Sequence, residues 1–211
     1  MILGLQDEGC SNIELVSPSH HLPGLLEALA IAACKGLHLP VVYNTNGYES
    51  PETLDLLEGI VDIYLPDLKY AGDKEAFRYS GADNYVETAR RAILKMYDQV
   101  GNLEIDLQGR RVRGMIVRHL VLPNNVGGTL ETLLWVRHNL PRTITLSLMA
   151  QFSPLHKSLE FPALKRGLSG DEYENAVDLA WELGFENVFV QDLDSQEQGI
   201  PDFQLDKPFN W

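Results

Sequence analysis

Val61-Asp62-Ile63-Tyr64-Leu65-Pro66-Asp67-Leu68-Lys69-Tyr70 is a short apolar run that ends in a carboxylate and an amine two residues apart. Alternate positions of an extended segment point the same way, so Asp67 and Lys69 are expected to project together from one strand tip. In α/β folds, chemistry collects at the carboxyl ends of strands. An exposed ion pair in a turn is the plain alternative. The other strand tips bear on that choice.

Outward from this run, strand-like and helix-like segments alternate with short connections, the pattern of repeated βα units. Upstream, Ile13 to Val16 reads as a strand. A helix from about Pro23 to Lys35 follows, with Leu25, Leu26, Leu29 and Ala33 on its inner face and Gly36 as its stop. Val41 to Thr45 is the next strand. Ser50-Pro51 supplies a cap residue and a first-turn proline for a helix to about Glu58, and Ile60 to Leu65 is the third strand.

Downstream, Asp73 is expected to cap a short helix. Asn84 to Val100 reads as a longer one with Val86, Ala89, Ile93 and Met96 inward. Gln108-Gly109-Arg110 is a hairpin turn between Leu103 to Leu107 and a long strand, Arg111 to Val121. Thr129 to Asn139 is helical and Thr143 to Leu148 is a strand. Ser169-Gly170-Asp171-Glu172 spells a capping box for a last helix ending at Gly184, before a strand from Asn187 to Gln191. Residues 192–211 read as a strap over the body formed by residues 1–191. Six strands separated by helices favour a barrel or open barrel over a doubly wound sheet, and no Gly-rich phosphate loop appears where the latter would carry one.

Composition narrows the function classes. The formal net charge of −13 speaks against a general nucleic-acid binder, and Arg110, Arg111, Arg113 and Arg118 form too short a basic cluster to reverse it. No run has the length of a membrane span and no secretory signal leads the chain, which points to the cytoplasm and to no membrane partner. Cys10 and Cys34 lie beside apolar runs at no metal-ligand spacing and are expected to be small buried hydrophobes. His20, His38, His119, His138 and His156 offer no H-x-H or H-E-x-x-H spacing. Of these, His38 and His138 are expected at the surface, and Trp135, Trp181 and Trp211 in packing.

The strand tips themselves are polar. They carry Ser17-Pro18-Ser19-His20, Asn44-Thr45-Asn46-Gly47, Asp67 with Lys69, Arg118 with His119, Gln151 with Ser153 and His156, and Gln191 with Asp192. If the strands are parallel, these groups meet on one functional face; satisfied turn residues are the alternative.

These phrases resemble radical S-adenosylmethionine proteins, and among them the group related to the pyruvate formate-lyase activating enzyme. The resemblance rests on Asn12 to His20, Tyr43 to Tyr48, Asp62 to Tyr70 and Arg118-His119-Leu120-Val121-Leu122-Pro123, and it extends to Pro201-Asp202-Phe203. It implies an α/β fold, a partial (βα)₆ TIM-type barrel with its site at the strand tips. A [4Fe–4S] cluster would there cleave S-adenosylmethionine to a 5′-deoxyadenosyl radical, which takes hydrogen from a substrate; in activating enzymes the substrate is a glycine of a partner protein.

Residue by residue, Ser17, Pro18 and Ser19 hold the place of the family's Gly-Gly-Glu stretch at the methionine amino group, so a Glu contact from that stretch is lost. Asn44 and Thr45 match an Asp-Thr pair near the methionine carboxylate, and Asp67 and Lys69 match the family's Asp and Lys. Arg118 matches an arginine for the carboxylate or ribose, Leu120 an apolar residue under the adenine, and His156 a late histidine near the ribose. The family's C-x-x-x-C-x-x-C, three thiolates that leave one iron open, is not in this sequence.

The resemblance begins inside a helix at Met1-Ile2-Leu3-Gly4-Leu5-Gln6, so the expectation is an N-terminally truncated barrel, inactive by itself, its first segment lost through a fragmentary reading frame, an internal start or a split gene that supplies it in trans. Such a chain has an open sheet edge beside Ile13 to Val16 and is expected to express poorly or to associate. Two other readings compete. One is a non-catalytic S-adenosylmethionine-binding partner or regulator. The other is a barrel aldolase using Lys69 as a Schiff-base amine.

Overall fold

The computed structural model describes residues 1–193. It holds seven α-helices and seven strands among them. These are α1 (Ile2–Asp7), β1 (Ile13–Val16), α2 (Leu22–Cys34), β2 (Val41–Thr45), α3 (Pro51–Leu57), β3 (Ile63–Pro66), α4 (Asp73–Ser80) and α5 (Tyr85–Val100). The chain continues through β4 (Glu104–Ile105), β5 (Arg111–Leu120), α6 (Thr129–Asn139), β6 (Thr145–Met149), α7 (Gly170–Glu182) and β7 (Asn187–Val190). The strand order β1-β2-β3-β5-β6-β7 climbs without reversal, and β4 pairs with β5 as the expected hairpin. A doubly wound sheet needs a reversal of strand order, and these strands have none. The strap expected over the C-terminal tail lies, beyond Leu193, outside the described residues.

The described residues form two compact units, one of residues 1–68, 87–117 and 143–145, the other of residues 69–86, 118–142 and 146–193. In the first unit β1, β2, β3 and the start of β5 are parallel, with Ile13 opposite Val41, Val42 opposite Ile63, and Ile63 opposite Gly114. β1 ends this order and pairs, among the described residues, with β2. Its Val16 is 67% exposed.

Tyr43, Tyr64, Leu54, Ile93, Met96 and Met115 are wholly buried in this unit's core. Tyr64 meets Tyr43 edge-on at 5.9 Å and donates from its hydroxyl to Gln99 Oε1 at 2.7 Å. Gln99 Nε2 in turn donates to the Leu54 carbonyl at 2.8 Å, so β3, α5 and α3 are joined through two side chains.

Several boundaries match the sequence reading and several move for identifiable reasons. β1, β2 and α6 fall where expected, and Ser50 caps α3 by accepting from Thr53 N at 3.1 Å. β3 starts at Ile63 rather than Ile60 because Ile60 N and Val61 N both donate to Leu57 O and complete the end of α3. α2 buries Leu22, Leu29 and Ala32, while Leu25 and Leu26 are half-buried and Ala33 is exposed, so its inner face is rotated from the expected one. Cys10 and Cys34 are exposed, not buried. Cys10 follows α1, a helix that buries none of its residues, and Cys34 is the last residue of α2. Trp181 is 49% exposed, which departs from its expected packing role.

In the second unit Asp73 is the first helical residue of α4 and not its cap, a place taken by Gly72. Its Oδ1 accepts instead from Val86 N at 2.8 Å, bracing the start of α5. The capping box at α7 is present: Ser169 Oγ accepts from Glu172 N at 3.3 Å and Glu172 Oε2 accepts from Ser169 N at 3.1 Å. Arg166 grips the same carboxylate with both terminal nitrogens, at 2.7 and 2.8 Å.

The Arg166 guanidinium, with backbone donors from Asn124 and Ser169, lowers the Glu172 carboxyl from 4.5 to about 2 against the opposing effect of burial. A depressed carboxyl stabilises the fold above its unfolded pKa and loses that contribution as pH falls through its folded value. The contribution is therefore complete above about 4.5 and fades toward about 2. With the pair partly in solvent, Glu172→Gln is expected to cost about 1–2 kcal/mol near neutral pH and to flatten the acid limb of stability over that window. Denaturant midpoints measured across the window check this; an unchanged acid limb would place the stabilisation elsewhere.

Candidate functional site

In the first unit the tips of β1, β2 and β3 are tied to one another through backbone. Ser17 N donates to Asn44 O at 2.8 Å, and Asp67 N donates to Thr45 O at 3.0 Å. Ser17 has φ 47, a left-handed value that turns the chain off β1 toward a 3-10 turn at Ser19–His21. After β2, Gly47 has φ +78, and a Cβ there would stand 2.2 Å from the Asp67 carbonyl oxygen. Only glycine lets the β2 turn close against the β3 tip in this way.

The side chains at these tips gather on a residue that the sequence reading did not single out. Glu49 is 4% exposed, and its Oε1 accepts from Thr45 Oγ1 at 2.5 Å, from Ser19 Oγ at 2.7 Å and from Tyr43 OH at 3.4 Å. Thr45 Oγ1 also accepts from Gly47 N at 3.2 Å. Burial first, and the Glu49 charge among lesser causes, pushes the Tyr43 hydroxyl up to about 12 against the bond from Ser19. Tyr43 is thus a neutral donor at physiological pH. The sequence signal for Glu49 was a carboxylate one residue ahead of the Ser50-Pro51 helix start, four residues beyond Thr45 across a glycine turn.

Asn44 goes elsewhere. Strand alternation sends its side chain to the face opposite Thr45, where Nδ2 donates to Glu14 Oε1 at 2.7 Å. Pro18 is buried, whereas the Ser17 and Ser19 residues are largely exposed. Asp67 is 8% exposed in the same unit.

Lys69, Arg118, Leu120 and His156 belong to the second unit. The Lys69 backbone is fixed on both sides: its N–H donates to Tyr85 OH at 2.8 Å, and its carbonyl lies where a Cβ on Gly127 would approach to 2.8 Å. Tyr85 packs edge-on against Tyr70 at 5.6 Å. Arg118 and Leu120 are half-buried on one side of β5, and His119 between them faces the other way, wholly buried with Nε2 at 3.0 Å from Thr129 Oγ1. His119 is therefore a packed, bonded core histidine, not a strand-tip group. Gln191 also has a backbone role, accepting from Ala150 N at 2.9 Å. His156 is exposed with φ 50 and opens a 3-10 turn, and Gln151 is exposed as well.

No family model matches this chain. It is 30% identical over 173 residues, 82% of its length, to an uncharacterized protein of Methanocaldococcus jannaschii. It covers 46% of that protein, so the chain spans about half the length of the curated relative it matches. Among solved structures, it resembles a domain of pyruvate-formate lyase-activating enzyme from Bacteroides vulgatus. The TM-score is 0.59 at 14% identity, over 87% of this chain and 100% of that one.

The fold is that of this activating-enzyme domain. The same enzyme group is the one whose phrases the sequence resembles, which supports the relation at the level of fold. The donor set for an iron–sulfur cluster does not fit. A site-differentiated [4Fe–4S] cluster needs three thiolates, and this sequence has two cysteines, Cys10 and Cys34, both exposed. No group of three or more His, Cys, Asp or Glu side chains among the described residues could hold a metal ion. No described helix is long and apolar enough to cross a membrane.

Proposed function

We propose that this chain is the S-adenosylmethionine-holding part of a radical S-adenosylmethionine protein of the activating-enzyme kind, a partial (βα)₆ barrel. What carries the reading is the fold shared with the whole of the activating-enzyme domain, with the tips of β1, β2 and β3 bearing the phrases that resemble the family. In the first unit, Ser17 to Ser19, Thr45 and Asp67 are the ligand-holding groups. Lys69, Arg118, Leu120 and His156 keep the roles the resemblance gives them, each open to its own substitution.

Reductive cleavage of the sulfonium needs an electron from a cluster whose thiolates this sequence does not contain, so these 211 residues bind the ligand without cleaving it. Hydrogen abstraction from a partner glycine belongs to an assembly that supplies that cluster. Calorimetric titration of the purified chain with S-adenosylmethionine tests the reading, with an assay for 5′-deoxyadenosine under reducing conditions beside it. Saturable binding and no 5′-deoxyadenosine are expected. Absence of binding at millimolar ligand would end the proposal, and turnover would end its second half.

A further inference from the structure

We propose that the Ser19–Thr45–Glu49 cluster takes a primary ammonium group, so that Glu49 and not a residue of the Ser17–Ser19 stretch is the carboxylate that recognises the amino end of the ligand. The inference rests on the S-adenosylmethionine reading and refines it. Ser19, Thr45 and Tyr43 each lie within donating distance of one oxygen, Oε1 of Glu49, and the Ser19 and Tyr43 hydroxyls are also 3.3 Å from each other, so their hydrogens are spent inside the cluster. A hydroxyl has a single hydrogen, so what these groups still present to an incoming molecule is lone pairs. The cluster is an acceptor surface.

Such a surface repels a carboxylate and attracts a donor, which reverses the expectation that Thr45 meets the methionine carboxylate. Glu49 is 4% exposed and takes part in none of the ion pairs among the described residues. A carboxylate buried with hydroxyl partners and no counter-charge is stabilised by a cation that also donates hydrogen bonds. No three His, Cys, Asp or Glu side chains among the described residues meet to hold a metal ion, and a sulfonium has no N–H to give. A primary ammonium has three N–H donors and a positive charge. Ser19 also occupies the sequence place where the family resemblance puts a glutamate, and its Oγ lies 2.7 Å from Glu49 Oε1, so a carboxylate stands beside that place from the turn after β2.

The test measures binding of three probes to the wild-type chain and to Glu49→Gln. S-adenosylmethionine has both ammonium and carboxylate, decarboxylated S-adenosylmethionine keeps only the ammonium, and 5′-methylthioadenosine has neither. Glutamine keeps an acceptor for the three hydroxyls and removes the charge, so the unfolding midpoint should stay close to wild type. Glu49→Gln is expected to weaken both ammonium-bearing probes by about ten- to a hundredfold and to leave 5′-methylthioadenosine unchanged, the range for a charge-assisted hydrogen bond.

Equal effects on all three probes, or none on any, would overturn the assignment. Should the variant fail to fold, the wild-type chain still decides. Decarboxylated S-adenosylmethionine must bind more tightly than 5′-deoxy-5′-(dimethylsulfonio)adenosine, which keeps the sulfonium and lacks the ammonium, and equal affinities would overturn the proposal. If none of the three probes binds to the wild-type chain, it is the S-adenosylmethionine reading itself that fails, an outcome separate from binding that ignores Glu49.

Discussion

Gly47→Ala is expected to destabilise the first unit by about 3 kcal/mol or more, the sum of a left-handed backbone cost and an overpacked contact. The added methyl would sit 2.2 Å from the Asp67 carbonyl oxygen, and that atom is backbone with no rotamer by which to escape. Asp67 N is bonded to Thr45 O at 3.0 Å, so relief of the clash has to break the link between the tips of β2 and β3. Gly47→Asn separates the two causes. Asparagine tolerates positive φ but has the same Cβ, so it should recover little of the loss. Urea unfolding of the two variants provides the measurement. A shift of less than about 1 kcal/mol for alanine would mean that the turn relaxes without the tip.

Tyr64→Ala should cost about 4–5 kcal/mol, as expected for truncating a fully buried aromatic that also holds a buried polar partner. The ring is wholly buried against Tyr43, and its hydroxyl is the donor to Gln99 Oε1. Tyr64→Phe keeps the ring and leaves the amide oxygen unpaired, at about 1–2 kcal/mol. The difference between the variants is the packing share, read from denaturant midpoints. If phenylalanine matched alanine in cost, the hydroxyl link from β3 through Gln99 to Leu54 would be the dominant element.

Local rules made much of the fold legible in the sequence. Ser50-Pro51 and Ser169 to Glu172 carry their own capping chemistry, so the starts of α3 and α7 follow from a few residues each. β1, β2 and α6 have patterns that no neighbouring turn competes for. The misplaced elements are those decided by a distant partner or by the end of an adjoining helix. Asp73 looks like a cap, but Val86, thirteen positions on, claims its carboxylate. Ile60 and Val61 look like strand, but Leu57 claims their N–H groups. Hydrophobic neighbours of Cys10 and Cys34 suggested burial, whereas exposure depends on which side of a helix end the thiol falls.

The candidate site divides in the same way. Thr45 and Asp67 stood out because they close polar strand tips. Glu49 had only its place between the Gly47 turn and the Ser50-Pro51 helix start to mark it, and it took the three-dimensional convergence of Ser19, Tyr43 and Thr45 to set it apart from other loop glutamates. His119 erred in the other direction: its place in the sequence suggested a tip, and strand alternation turned it into the core beside Thr129.

The unreversed strand order has a kinetic consequence. In the first unit β2 is laid against a strand already made, and so is β3, each after one intervening helix. Loop closure at such short separations is entropically inexpensive and favours rapid formation. A nascent chain emerging from the ribosome can therefore zip its sheet in the order of synthesis, one βα step at a time, without waiting for its C-terminus. The residues that converge on Glu49 all belong to that early product: Ser19, Tyr43 and Thr45 precede it, and the carboxylate itself arrives before β3 has been made.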